Sequence, residues 1–150
     1  MSLTLRTVTE ETLPLLYRMN REMAIREGQS DLFTAEYDTY AGAFRGPFPL
    51  VHGELIYQKD ELIGFVIWQE KFATYPGKKV FYIEDVYLGD RIDDPEIFAA
   101  LLNAIEHRLD PTEYGRIEIR RLERYAPPIN PLYRANFHPI DKWTIWRKSL

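Results

Sequence analysis

The chain has 150 residues, a formal net charge of −4 with acids and bases interspersed, 45% hydrophobic and 14% aromatic content, and no cysteine. This length fits one domain able to bury roughly 70% of the surface its unfolded form exposes, and the composition excludes disorder. Disulfides, thiolate metal sites and cysteine nucleophiles are excluded, the basic stripe of a nucleic-acid binder is missing, and no apolar run approaches the roughly 20 residues of a membrane span. No secretory leader is evident, so a cytoplasmic location is expected, and the acidic balance suits cationic small molecules.

Leu3 to Val8 alternates as a short strand, and Thr9 followed by Glu10 and Glu11 reads as an N-cap with acids in the first helical turn. The helix that follows carries Leu13, Leu16, Tyr17, Met19, Met23 and Ala24 on one stripe and stops at Gly28. Asn20 falls inside that stripe and needs a partner. A shorter helix is expected over about residues 34–44, ended by Gly46-Pro47. Leu50 to Tyr57 and Leu62 to Glu70 read as a hairpin turning at Lys59-Asp60-Glu61. The stretch Ile63-Gly64-Phe65-Val66-Ile67-Trp68 is apolar on both faces, which predicts a central strand with helices on either side.

After a turn at Tyr75-Pro76-Gly77-Lys78 the strand Lys79 to Leu88 returns beside its neighbour. The next helix opens with Asp93 or Asp94 as cap and Pro95 in the first turn, and buries Ile97, Phe98, Leu101, Leu102, Ile105 and Leu109. Arg116 to Leu122 is predicted as a strand, Asn130-Pro131 as the start of a short helix reaching about Asn136, and Trp143 to Arg147 as a strand closing the sheet. The expected order is β-α-α-β-β-β-α-β-α-β, and Pro127-Pro128 marks a rigid loop within one domain.

The segment with most chemical content is the strand Tyr82-Ile83-Glu84-Asp85-Val86-Tyr87-Leu88, which carries two adjacent acids mid-strand. Acids are seldom placed there for packing, and a desolvated carboxyl has a raised pKa that makes it a better base. Plain alternation puts Glu84 on a face with Tyr82, Val86 and Leu88, and Asp85 on the other with Phe81, Ile83 and Tyr87; a bulge would change which face Glu84 occupies. The alternative is that one acid pairs with an arginine and the other is exposed. The strand leads into Gly89-Asp90-Arg91-Ile92-Asp93-Asp94-Pro95-Glu96 at a helix N-terminus, where free N–H groups ordinarily favour anions but acids are concentrated here.

The order of elements and these motifs resemble the GNAT superfamily of N-acetyltransferases, and most nearly the diamine (spermidine/spermine) acetyltransferases. The likeness rests on Phe72-Ala73-Thr74-Tyr75-Pro76-Gly77-Lys78 leading into Tyr82-Ile83-Glu84-Asp85, on Glu22-Met23-Ala24-Ile25-Arg26-Glu27, and on Leu132-Tyr133. It implies an α/β (α+β) acyl-CoA N-acyltransferase fold, with a mixed, mostly antiparallel sheet flanked by helices on both faces. It further implies acetyl transfer from acetyl-CoA to a primary amine of a small cationic molecule, polyamine-like or amino-acid-like, by a homodimer without a metal. Glu84 would then be base or water relay and Tyr133 the acid that protonates the departing thiolate, with Asp85, Glu22, Glu27 and Tyr82 at the substrate. Val86, Tyr87, Leu88, Arg91 and Arg134 would hold the cofactor, the first three through their backbone.

This sequence departs from the superfamily's pattern in three places. Its glycine-rich pyrophosphate loop, Arg/Gln-x-x-Gly-x-Gly/Ala, is replaced by Arg91, Ile92, Asp93, Asp94, Pro95 and Glu96, with a proline that lacks a donor and carboxylates that repel phosphate. The polar residue expected seven positions before the tyrosine is Ala126, and Asn136-Phe137 stands where Gly-Phe usually ends the last helix. The alternative function is a binding or regulatory module that kept the fold and lost normal acetyl-CoA binding.

Other residues have plainer readings. His52, His107 and His138 are scattered and predict surface or capping roles rather than a metal site. Arg120, Arg121, Arg124 and Arg134 could meet a cofactor phosphate, but pairing with Glu118 and Glu123 is the simpler expectation. Trp143 and Trp146 lie on opposite faces of the predicted last strand, with at least one in the core or at a dimer contact.

Overall fold

The computed structural model describes residues 2–122 and 129–150. Five strands, β1 (Leu3–Thr7), β2 (His52–Gln58), β3 (Glu61–Ala73), β4 (Lys78–Tyr87) and β5 (Tyr114–Ile119), form one sheet in the order β1-β2-β3-β4-β5. The first three pairings are antiparallel, and β4 and β5 are parallel. The helices are α1 (Leu13–Arg26), α2 (Tyr37–Gly42), α3 (Pro95–Arg108) and α4 (Ile129–Arg134).

The chain has the expected α/β architecture, with helices on both faces of a mixed sheet. Leu13, Leu16, Met23 and Ala41 from α1 and α2 pack with Leu55, Phe65, Ile67 and Tyr87 on one face. Ile97, Phe98, Leu101, Leu102 and Ile105 from α3 and Leu132 from α4 pack with Ile56, Val66, Phe81, Ile83, Val86 and Leu88 on the other. The two-sided apolarity of β3 has its cause here: Phe65 and Ile67 face one helical layer and Val66 the other.

Local signals place the helix ends. At α1, Gly28 adopts φ 68°, and the N–H groups of Gly28 and Gln29 bond back to Ile25 and Ala24, closing the helix with an αL residue. Its start differs from the expected cap at Thr9. The helix begins at Leu13, because Pro14 fits only the first turn, while Thr9 to Thr12 form a turn in which Thr9 N–H donates to Thr12 Oγ1 at 2.8 Å. Asn20 is buried and has its partner, donating from Nδ2 to the Tyr40 hydroxyl at 3.0 Å. Asn136 takes φ 62° after α4, and the Phe137 N–H reaches Leu132 O at 2.9 Å. Ala126, Arg124, Glu123 and the Pro127-Pro128 pair lie outside the described residues.

The predicted last strand is not formed. Residues 143–150 have no regular structure, Trp143 is 76% and Trp146 91% exposed, and neither packs in the core. Alternating apolarity marks a segment that can join a ladder. Here no strand of the sheet pairs with it.

Two features tie the sheet to its surroundings. Gly64 on β3 lies so close to the end of β4 that an added Cβ would sit 1.9 Å from the Tyr87 carbonyl oxygen and 3.0 Å from Leu88 Cα. Glu54 on β2 is 5% exposed and is clamped by both terminal nitrogens of Arg108 at the end of α3, while Trp68 Nε1 donates to Glu54 Oε2 at 2.8 Å. Breaking such a pair from one side leaves an uncompensated buried charge.

Gly64→Ala is therefore expected to destabilise the fold by about 3 kcal/mol or more, because backbone rather than a movable side chain must give way. Arg108→Met is expected to cost about 3–5 kcal/mol, and adding Glu54→Gln to recover part of it by removing the stranded charge. Urea denaturation of the three variants checks both expectations.

Candidate functional site

The β4–β5 ladder runs from Lys79 opposite Tyr114 to Ile83 opposite Ile119, and the Arg120 N–H still reaches the Ile83 carbonyl at 3.1 Å. Beyond that point β5 has ended while β4 continues through Glu84, Asp85, Val86 and Tyr87. A cleft of about 390 Å³ opens there, bounded by the second half of α1, by Leu32 and Phe33, by Glu84 to Val86, and by Arg120, Arg121 and Arg147. Its position at the C-terminal end of parallel strands is where open sheets of this kind place ligands.

The register of β4 decides which side chains enter the cleft. Asp85 pairs with Ile67 and Ile83 with Trp68, so Glu84 is an extra residue with no partner on β3. This bulge overturns the plain alternation expected from sequence. Ile83 and Val86 both point to the α3 face, and Glu84 and Asp85 both point to the α1 side, instead of to opposite faces. Both acids meet one guanidinium: Arg120 Nη2 lies 2.9 Å from Glu84 and 3.7 Å from Asp85.

Arg120 thus does not pair with Glu118, which takes Arg116 at 2.8 Å. The topology could have located it, because residues that follow β5 emerge beside the end of β4. Arg121 and Arg147 line the same cleft, and the Arg121 Nε atom is buried without a hydrogen-bond partner among the described residues.

Burial pushes the Asp85 carboxyl up to about 6, against the lowering influence of Arg120 and Asn20, with Glu84 adding to the rise. Burial also raises Glu27, on the opposite wall, and the nearby Asp85 charge raises it further. Burial raises the Tyr40 hydroxyl that Asn20 contacts. The cleft therefore holds a carboxyl poised close to neutrality.

The predicted site residues do not all meet. Glu84, Asp85, Glu27 and Val86 line the cleft. Glu22 is on the exposed side of α1, 3.9 Å from Arg26, and its charge adds to the burial that pushes the Tyr87 hydroxyl up to about 12. Tyr82 is buried beneath Lys71, whose Nζ is 3.5 Å from the ring centre. Leu88 is fully buried. Tyr133, on α4, is 56% exposed and does not line the cleft. Arg91 bonds Glu61 at 2.8 Å, and Arg134 lies 3.4 Å from Glu96.

The N-terminus of α3 does not fit a pyrophosphate. Asp94 Oδ1 already accepts from the N–H groups of Glu96 and Ile97, at 2.9 and 3.3 Å, and Pro95 offers no donor. Asp90 is paired with Arg26 at 2.8 Å. Among the described residues no group of three or more His, Cys, Asp or Glu side chains could hold a metal, and no helix is long and apolar enough to cross a membrane.

The Asp85 environment has a stability consequence. The folded state keeps this proton to about pH 6 whereas an ordinary aspartate loses it near 3.8, so stability falls as pH rises through that window and levels off above it. Asp85→Asn is expected to stabilise the protein at pH 7 by about 1–3 kcal/mol and to change little at pH 3.5. Urea denaturation at both values checks this; equal effects at the two would refute the buried-carboxyl account.

No family model and no curated protein matches this sequence. Solved structures do match its fold. A ribosomal-protein-alanine N-acetyltransferase from Brucella melitensis biovar Abortus 2308 is similar with a TM-score of 0.72 at 11% identity, covering 99% of both chains. A possible acetyltransferase from Clostridium difficile 630 gives 0.72 at 11% identity, covering 100% of this chain and 99% of the other. An aminoglycoside acetyltransferase from an uncultured soil metagenomic sample, in complex with sisomicin, gives 0.75 at 10% identity, covering 99% and 96%. At these identities the likeness is one of fold, and the fold of this chain is that of the GNAT-type acetyltransferases.

Proposed function

We propose that this protein transfers an acyl group from a thioester, acetyl-CoA being the expected donor, to the amine of a small molecule. The observation that carries the reading is the Glu84-Asp85 pair, brought together by a bulge at the splayed end of β4, with Asp85 desolvated and poised near neutrality. The named activities of the fold's neighbours are acetyl transfers, which supports the acyl-transfer part of the reading.

An amine is protonated at neutral pH and attacks a thioester only after losing its proton. Asp85 is the better-placed base, since a carboxyl near pH 6 is ionised at neutrality yet binds a proton readily. Glu84 beside it holds and orients the cation, with Arg120 offsetting part of the pair's charge. The resulting neutral nitrogen forms the amide bond as the carbon–sulfur bond breaks, and the thiolate leaves with a proton. The sequence resemblance assigns that proton to Tyr133, which sits on α4 outside the cleft. The unpaired edge of Val86 to Leu88 offers backbone groups to the pantetheine arm of a donor. The nucleotide end has no comparable seat at α3, so the arm supplies most of the affinity.

With acetyl-CoA and a panel of small amines, thiol release is expected to fall below about pH 6 as Asp85 protonates. Asp85→Asn should lower kcat by roughly 10²- to 10⁴-fold, the usual contribution of a positioned base, and Glu84→Gln by less. Full activity in Asp85→Asn removes it from the base role. No donor binding in calorimetry at millimolar acetyl-CoA overturns the transfer reading and leaves a binding module.

A further inference from the structure

Resting on the acyl-transfer reading, we infer that the acceptor is a zwitterion, an amine that also carries a carboxylate, rather than a polyamine or other plain cation. Acids alone would make this cleft a cation site. Glu27, Glu84 and Asp85 are matched there by Arg120, Arg121 and Arg147, so the formal charges of the six side chains cancel. Arg120 is committed to the acid pair, which leaves Arg121 and Arg147 as the cleft's other two cations among the described residues.

A polyamine brings two or more ammonium groups into a space with as much fixed positive as negative charge. Its added positive charge is not matched there, because Arg120, Arg121 and Arg147 already offset Glu27, Glu84 and Asp85. A zwitterion places its ammonium at Glu84 and Asp85 and its carboxylate at the arginines, so both ends are neutralised. Arg121 adds a specific reason: it lines the cleft, and its Nε atom has no acceptor among the described residues, so that nitrogen is not committed to a carboxylate of the protein. A planar guanidinium donates two parallel hydrogen bonds to a carboxylate, whereas an amine offers it no acceptor once protonated.

The test uses matched pairs that differ only in the carboxylate: glycine with methylamine, β-alanine with ethylamine, ornithine with putrescine, and lysine with cadaverine. Wild-type kcat/KM for acylation is expected to favour at least one zwitterion over its partner by roughly ten- to a hundredfold, the worth of a charge-assisted hydrogen bond. Arg121→Ala and Arg147→Ala should shrink that ratio, and Arg121→Lys should restore part of it. Equal or faster acylation of the plain amines overturns the inference while acyl transfer stands. Unchanged ratios with a higher KM for the donor overturn it too, and assign the arginines to the donor's phosphates. Should no amine be acylated, the transfer reading fails separately. The inference is then judged by calorimetric titration with lysine and cadaverine, where equal or tighter binding of cadaverine overturns it.

Discussion

One extra residue in β4 is the constraint on which the site depends. Had the strand kept its pleat, Glu84 and Asp85 would have faced opposite helical layers, one of them inside the apolar core against α3 with no partner in reach. The bulge opposite Ile67 and Trp68 instead carries both to the α1 side without disturbing the apolar sequence of the other face, where Ile83 and Val86 stay in one buried cluster with Phe98 and Leu101. The same break coincides with the end of the β5 ladder, so the acids are presented where the sheet opens. Gly64 holds this rim: it lets β3 approach the Tyr87 carbonyl more closely than any side chain would permit.

Burial and charge are balanced differently at the two places where this protein hides carboxylates. Glu54 is fully answered, by a two-pronged guanidinium and an indole N–H, and its function is to pin β2 to the end of α3. Asp85 is only partly answered, since Arg120 stands nearer to Glu84. An incompletely compensated acid costs stability, and the proposed chemistry gives that cost a use, because a carboxyl easily protonated is one that can take a proton from an ammonium group.

Features set within a few residues of sequence were legible in advance. Pro95 behind Asp94 specified the start of α3, Gly28 the end of α1, Asn136 the left-handed turn after α4, and Ile63 to Trp68 the doubly covered central strand. Features set by a distant partner were not. The register of Glu84 is defined by β3, and the pairing of Arg120 depends on which strand β5 joins. The alternating apolar pattern of Trp143 to Arg147 did not say whether a ladder would receive it. Of the site, the two acids and Glu27 could be read from the chain; the three arginines facing them could be grouped only once the topology was known.

The cap at α3 has a consequence for which donors the proposed reaction admits. Asp94 is a carboxylate tethered to the donors it occupies, so any phosphate arriving at that helix competes with a ligand held at very high effective concentration and must also approach Glu96. At such a terminus the Glu96 and Ile97 N–H groups are already taken. Discrimination among acyl donors then shifts away from the adenosine end, to the length and chemistry of the arm threaded along β4 and the acyl group at its tip.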